Sequence, residues 1–349
     1  MGRFPVLSIV IMSTTVFVSG ANGFIAQHII KQLIEKNYKV VGSVRSNEKG
    51  DQLVARFGDG FQYEIVSDMS KSGSFDEVLK KHPEVTVFLH TASPFHFNAT
   101  DVEKDMYYPA IEGTLNALKA VDKYGPQVKN VVVTSSFTAL IDLNREADPT
   151  LTYTEENWNP MSREEGAQNA FLGYFVSKKL AEKAAWDYVE QTKPHYLFNT
   201  VNPTYVYGPQ AFDADVKETL NTSSEFINMA LKLKPDDEIP GYTGPFIDVR
   251  DVAKAHLVAF ENKEADHKRL VLASSRFVFQ DFLDIIHKHF LEKAKAKQLP
   301  LGNSGAGKEV IAKAAKLNFA ETERVLGFKY IDLETCVVDS VKQIFDSGF

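Results

Sequence analysis

Val16-Phe-Val-Ser-Gly-Ala-Asn-Gly-Phe-Ile-Ala26 is the stretch on which the fold turns. A β-branched run passes into Gly20-x-x-Gly23-x-x-Ala26, and His28, Ile29, Ile30, Leu33 and Ile34 then recur at helical spacing. The order is strand, tight turn, helix. The first turn of a helix carries unpaired N–H groups and a partial positive charge, so a pyrophosphate can sit there if no Cβ blocks it. Gly20 permits the turn, Gly23 the approach of the phosphate, and Ala26 the close contact of helix with strand. Gly20, Asn22, Gly23, Phe24 and Ile25 are the candidate cofactor contacts of this turn. A glycine pattern alone is weak, so its context has to carry the argument.

Strand-like runs recur downstream at 39–45, 61–67, 85–91 and 131–134, with helical patterns at 47–57, 74–81 and 102–123 between them. This alternation predicts an α/β fold, a doubly wound parallel sheet with helices on both faces and ligands beyond the strands' C-terminal ends. Residues 142–168 are polar and read as a long surface loop. A strongly patterned helix follows over 169–192, then a sixth strand, 196–202, ending at Pro203. From 204 the alternation lapses into loops and short helices. Phe246-Ile-Asp-Val-Arg-Asp-Val-Ala253 reads as a return to the sheet, leading into a helix over 251–262. Residues 276–349 are mostly helical, with a strand-like Phe328-Lys-Tyr-Ile331. Gly302-Asn-Ser-Gly-Ala-Gly307-Lys308 imitates a phosphate loop, but Glu309 stands where a Mg²⁺-holding hydroxyl belongs and no strand precedes it, so it reads as a linker.

Composition narrows the classes. The chain has 349 residues, enough for two domains, with 44% hydrophobic and 24% charged residues, as in ordinary globular proteins. A net charge of −7 disfavours a general nucleic-acid binder. Cys336 is the only cysteine, so no intrachain disulfide forms and a cytoplasmic setting is expected. The apolar run before Met12 is too short to span a membrane. Residues 1–11 read as an extension, with Met12 an alternative start. His287 and His289, two apart on a helix, share no face and are poor metal ligands, and no metal is expected.

The end of the second strand chooses the dinucleotide. An acidic residue there would bind the ribose 2′-OH and repel a 2′-phosphate. Here the strand ends Ser43-Val-Arg45-Ser46, with Lys49 one turn into the next helix and no carboxylate at the position. Arg45 forks onto phosphate oxygens and Lys49 adds a point charge, which favours NADP(H) over NAD(H). Asp68 and Met69 are expected to flank the adenine and Ala92 to lie along a ribose. Thr134 and Pro203, at the ends of the fifth and sixth strands, complete the cofactor set. The resulting division is an NADP-binding unit of 12–203 with 245–275, and a smaller, mostly helical substrate-binding unit of 204–244 with 276–349.

Tyr174-Phe-Val-Ser-Lys178 puts a phenol and an ammonium at i and i+4, on one helix face. Its weight comes from position, opening the helix after the loop that follows the strand ending Thr134-Ser135-Ser136. Carbonyl reduction needs a hydride and a proton for the forming alkoxide. A tyrosine, with an ordinary pKa of about 10, becomes a usable acid when a neighbouring ammonium lowers it. Ser136 is placed to hydrogen-bond the carbonyl oxygen.

Together, Gly20-x-x-Gly23-x-x-Ala26, the Thr134-Ser-Ser136 strand end, Tyr174-x-x-x-Lys178 and Asn202-Pro-x-Tyr-Val-Tyr-Gly-Pro209 resemble an extended short-chain dehydrogenase/reductase of Rossmann type. His90-Thr-Ala-Ser-Pro-Phe95 and Ser177-Lys-Lys-Leu-Ala-Glu-Lys-Ala-Ala-Trp186 are similar to the fungal NADPH-dependent methylglyoxal/3-methylbutanal reductases, cousins of the plant dihydroflavonol reductases. The resemblance runs from about Ser13 to the C-terminus. It implies NADPH-dependent reduction of aldehydes, α-oxoaldehydes and ketones by a monomer or homodimer. Ser136, Tyr174 and Lys178 would be the catalytic triad, with Lys178 and Tyr174 also touching the cofactor. Phe95, Phe137 and Tyr205 would line an apolar substrate pocket. The departures are Ala26 for a third glycine and the 1–11 extension.

Two other readings use the same scaffold. A nucleotide-sugar epimerase or dehydratase must clamp a diphosphate, yet 204–249 holds no Arg and only Lys217, Lys232 and Lys234. A non-catalytic NADP(H) sensor has no need of the serine, tyrosine and lysine. No G-x-S-x-G elbow supports a Ser-His-Asp hydrolase.

Overall fold

The computed structural model describes residues 14–93 and 99–349, so Phe95 and the 1–11 extension lie outside the described residues. The first half of the chain alternates as its spacing predicts: β1 (Thr15–Val18), α1 (Phe24–Glu35), β2 (Lys39–Val44), α2 (Asn47–Phe57), β3 (Phe61–Ile65), α3 (Asp76–Lys81), β4 (Val85–His90), α4 (Tyr108–Tyr124) and β5 (Asn130–Thr134). A π turn, Glu103–Tyr107, leads into α4. The second half comprises β6 (Thr152–Tyr153), α5 (Arg163–Gly166), α6 (Ala170–Thr192), β7 (Leu197–Pro203), β8 (Tyr205–Tyr207), α7 (Thr222–Ala230), β9 (Thr243–Asp248), α8 (Val249–Glu261), β10 (Arg269–Leu272) and β11 (Ser275–Val278). It closes with α9 (Phe279–His289), α10 (Leu291–Ala296), α11 (Gly307–Ala312), β12 (Lys316–Leu317), α12 (Ala320–Leu326) and α13 (Leu333–Asp346).

Seven strands form one parallel sheet in the order β10-β7-β5-β4-β1-β2-β3. Alternate side chains of β1 leave by opposite faces: Val16 and Val18 join the core under α1 and α8, and Phe17 joins the core under α3, α4 and α6. The winding reverses between β1 and β4, so a crevice opens beyond their C-terminal ends. The candidate cofactor and catalytic residues come from the ends of main-sheet strands around that crevice or from the segments that follow them, whereas part of the cavity wall comes from the small sheet and α7.

The structure corrects four expectations. Phe246–Asp248 does not rejoin the main sheet. It belongs to β9, the middle of a separate three-stranded sheet β11-β9-β8, and the strand that returns to the main sheet is β10, paired with β7. The expected loops after 204 include β8. Phe328–Ile331 forms no strand; the Ile331 N–H instead donates to the Asp251 carboxylate at 2.7 Å. The 142–168 segment is more than surface loop: β6 pairs with β12, Ser162 and Glu165 make a capping box on α5, and Tyr153 and Asn159 are buried. The small sheet, α7, α9 and α13 share a third core built on Tyr207, Phe246, Phe277 and Phe282. Residues 302–306 form a loop before α11 with no strand ahead of it, as the linker reading expects.

Candidate active site

The glycine turn has the shape its composition implies. Gly20 lies at φ +65°, and a Cβ there would stand 3.1 Å from the Ala92 Cα. At Gly23 a Cβ would stand 3.2 Å from the Gly20 carbonyl oxygen. Gly23 caps α1 with no side chain bonded to the cap and no acidic residue in the first turn. The N–H groups there, beside half-buried Asn22, Phe24 and Ile25, therefore point from an unclaimed helix end. Ser19 ties the turn to the end of β4. Its Oγ accepts from the backbone of Thr91 at 3.0 Å and of Ala92 at 2.9 Å, and its own proton goes to His90 Nδ1 at 3.1 Å. Burial holds His90 neutral, its pKa pushed down to about 3, which suits an imidazole that accepts at Nδ1.

Arg45 is exposed at the end of β2 and Lys49 is half-buried in the first turn of α2; neither makes an ion pair among the described residues. Asp68 turns its carboxylate onto the Ser70 N–H and hydroxyl at 2.9 and 2.6 Å, which keeps it ionised below the usual range, and Met69 packs over Gly113 of α4. The Thr134 hydroxyl faces away from the crevice, bonded to His256 Nε2 at 2.7 Å, so only its backbone borders the site. Pro203, the last residue of β7, borders both crevice and cavity.

Ser136 follows β5 and caps a short 3₁₀ turn, where its Oγ accepts from the Thr138 N–H at 3.1 Å. It also hydrogen-bonds the Tyr174 phenol. The Lys178 Nζ lies 6.0 Å from the Tyr174 ring centre. Asn169 fixes the start of α6 by accepting from the Leu172 N–H at 2.9 Å, and the spacing of the helix then sets Tyr174 and Lys178 over the sheet. The sequence reading expects the neighbouring ammonium to lower the phenol, and in the free site this does not hold: desolvation pushes Tyr174 up to about 12, against the pull of Ser136. The same desolvation pushes Lys178 down to about 8, resisted by Glu182.

Ser136 and Tyr174 open onto a cavity of about 430 Å³. Phe137 and Tyr205 line it; Phe95 lies outside the described residues. Sequence reasoning missed Phe171, Phe175, Phe226 and Tyr242 on its walls. Phe171 and Phe175 flank Tyr174 on α6 and could have been read from helical spacing, whereas Phe226 and Tyr242 come from distant segments that carry no motif. Among the described residues no cluster of His, Cys, Asp and Glu could hold a metal, and no helix is long and apolar enough to cross a membrane.

Residues 16–273 match the model of the NAD dependent epimerase/dehydratase family. The chain belongs to that family. Within it, the chain is 54% identical over 338 residues to the putative NADPH-dependent methylglyoxal reductase GRP2 of Candida albicans, covering 95% of this chain and 98% of that protein. It is 45% identical over 336 residues to the NADPH-dependent methylglyoxal reductase GRE2 of Saccharomyces cerevisiae, covering 95% and 98%. The crystal structure of yeast methylglyoxal/isovaleraldehyde reductase Gre2 complexed with NADPH superposes with a TM-score of 0.92 at 44% identity, covering 95% of this chain and 98% of that one. This family member therefore has the fold of an NADPH-binding reductase over almost its whole length.

Proposed function

We propose that the chain reduces aldehydes, α-oxoaldehydes and ketones to alcohols with NADPH, methylglyoxal and 3-methylbutanal among them. One observation carries the reading: Ser136 hydrogen-bonds Tyr174 on the wall of an apolar cavity, and the Lys178 ammonium lies 6.0 Å from that ring and near His90, which Ser19 bonds to the glycine turn. The cradle fits NADPH on its own terms, with two positions where a Cβ would intrude, an unclaimed helix N-terminus, and two cations with no carboxylate partner among the described residues.

Bound NADPH supplies the hydride that goes to the carbonyl carbon. The Ser136 hydroxyl holds the carbonyl oxygen in line with Tyr174. As negative charge builds on that oxygen, the Tyr174 phenol transfers its proton and the product leaves as the alcohol. The Lys178 ammonium stabilises the phenolate left behind. Phe137, Phe175 and Tyr205 exclude water from the transfer and accept the apolar part of the substrate. All three polar groups come from one chain, so a monomer or a homodimer carries a complete site. The buried, unpaired Cys336 thiol accords with a cytoplasmic setting.

A panel of small carbonyls followed by loss of NADPH absorbance, with NADH as control, tests the proposal. Turnover of aldehydes and α-oxoaldehydes with a marked NADPH preference is expected; no oxidation of NADPH with any carbonyl would overturn it.

A further inference from the structure

One turn beyond Lys178 on α6, Glu182 is a fully buried carboxylate at the meeting point of three strands. Its Oε2 accepts from the Ser135 hydroxyl at 2.5 Å and from the Asn202 amide at 2.6 Å. Its Oε1 accepts from Arg269 Nε at 2.5 Å and from Trp186 Nε1 at 3.3 Å. Ser135 precedes Ser136, and the Asn202 amide also donates to the Ser136 carbonyl oxygen at 3.3 Å. The carboxylate therefore ties the catalytic helix to the ends of β5 and β7 and to the start of β10. Arg269 is itself clamped: it donates to the Glu155 and Asn157 carbonyls at 2.7 and 2.6 Å and lies 3.9 Å from the Trp158 ring centre.

We infer that Glu182 is a positioning residue for the reaction: it sets Ser136 and Tyr174 in register across the crevice and holds the Lys178 side chain in its charged form. The inference rests on the carbonyl-reductase reading of the site. No ion pair joins Glu182 to Lys178 among the described residues, so the carboxylate acts on the ammonium through space, across one turn of a desolvated helix face. Among the described residues the other groups around Lys178 offer no substitute. His90, at the end of β4, is neutral, and Tyr174 is an uncharged phenol. On α4 and the π turn, which pack against α6, Tyr107 donates to the Arg163 carbonyl, Asp122 takes the Tyr188 hydroxyl and Glu103 pairs with Arg163. Arg269, behind Glu182, is the opposing charge bonded to it, whereas on α6 Lys179 turns its ammonium to the Met161 carbonyl and Lys183 to Asp187. The negative charge of Glu182 should therefore raise the pKa of Lys178, and the positive charge of Arg269 should lower it.

The test compares Glu182→Gln, Glu182→Asp and Arg269→Gln, reading two quantities. One is the titration of Lys178 through its ε-carbon NMR shift in protein without cofactor, assigned with Lys178→Met; this is measurable whether or not carbonyl reduction is found. The other is kcat against pH for NADPH-dependent reduction, with NADPH affinity followed by fluorescence. Glu182→Gln is expected to lower the Lys178 pKa by about one unit, to cut kcat about twofold at pH 7 and close to tenfold by pH 9, and to leave NADPH affinity within about twofold. Arg269→Gln is expected to move the Lys178 titration the opposite way, and Glu182→Asp to return it to the wild-type value. An unmoved titration in Glu182→Gln, or shifts of the same sign in Glu182→Gln and Arg269→Gln, would reduce Glu182 to a strut and overturn the inference. So would failure of all three variants to fold; where only Glu182→Gln fails, the sign of the Arg269→Gln shift decides.

Discussion

The Lys178 ammonium stands 6.0 Å from the centre of the Tyr174 ring, one helical turn away and on the same face of α6. In the proposed mechanism the ammonium would act on the phenolate formed during turnover, while the resting phenol keeps its proton because burial raises it to about 12. Tyr174→Phe is expected to lose a hundredfold or more in kcat, the scale of a lost general acid, with NADPH affinity retained. Stopped-flow reduction with fluorescence-monitored NADPH binding checks this; undiminished turnover would remove Tyr174 as the proton donor.

Burial also brings Lys178 to about 8, well below an ordinary lysine. Its ammonium is present below that pH and lost above it, so kcat for reduction is expected to fall as pH rises through about 8. A profile flat to beyond pH 10, the ordinary lysine range, would contradict this assignment.

Arg45 leaves the end of β2 with no carboxylate partner among the described residues, which suits a 2′-phosphate. A charge-assisted hydrogen bond contributes about 1.5–3 kcal/mol, or roughly tenfold to a hundredfold in affinity. Arg45→Asp should raise the NADPH KM by that order and leave the NADH KM little changed. Equal effects on both cofactors would rule out the phosphate contact.

The sequence already contained whatever depends on local spacing. Gly20 and Gly23 mark a turn whose φ and contacts are set within a few residues, and Tyr174 and Lys178 share a face by helix geometry alone. Long-range pairing was less accessible. Phe246 to Asp248 are as buried as any central strand, so their composition could not say which sheet they join. Arg269–Leu272 is too short, and opens on too polar a residue, to announce itself as the strand that closes the main sheet. Glu182 had no sequence signal either, because the residues that define it, Ser135, Asn202 and Arg269, are brought to it only by the assembled sheet.

Phe137 shows how core and cavity share one side chain. Its ring packs edge-on against Tyr153 and Phe319, at 5.5 and 6.1 Å between centres, and also forms part of the cavity wall. Phe137→Ala should cost about 3–5 kcal/mol of stability and shift preference toward bulkier carbonyls, with cofactor affinity unchanged. An unaltered substrate ranking would place the ring outside the substrate's reach.

Three buried imidazoles make stability depend on mild acid. Burial lowers His28 and His256 to about 4 and His90 to about 3, against 6.5 in the unfolded chain. Below pH 6.5 the unfolded chain therefore binds protons that the folded protein refuses, and stability is lost as pH falls toward 4. Asp251 works in the opposite sense, raised to about 6 from 3.8, and the raised carboxyls of Glu146 and Asp281 join it at lower pH. The imidazoles outnumber Asp251 near pH 6, leaving a net uptake of roughly one to two protons on unfolding. That corresponds to a loss of about 1.4–2.7 kcal/mol per pH unit between about pH 6 and 5. Urea unfolding across this range measures the slope, and His90→Gln should remove about one proton from it. Stability that held constant or rose toward pH 5 would mean that at least one of these imidazoles is charged in the folded protein.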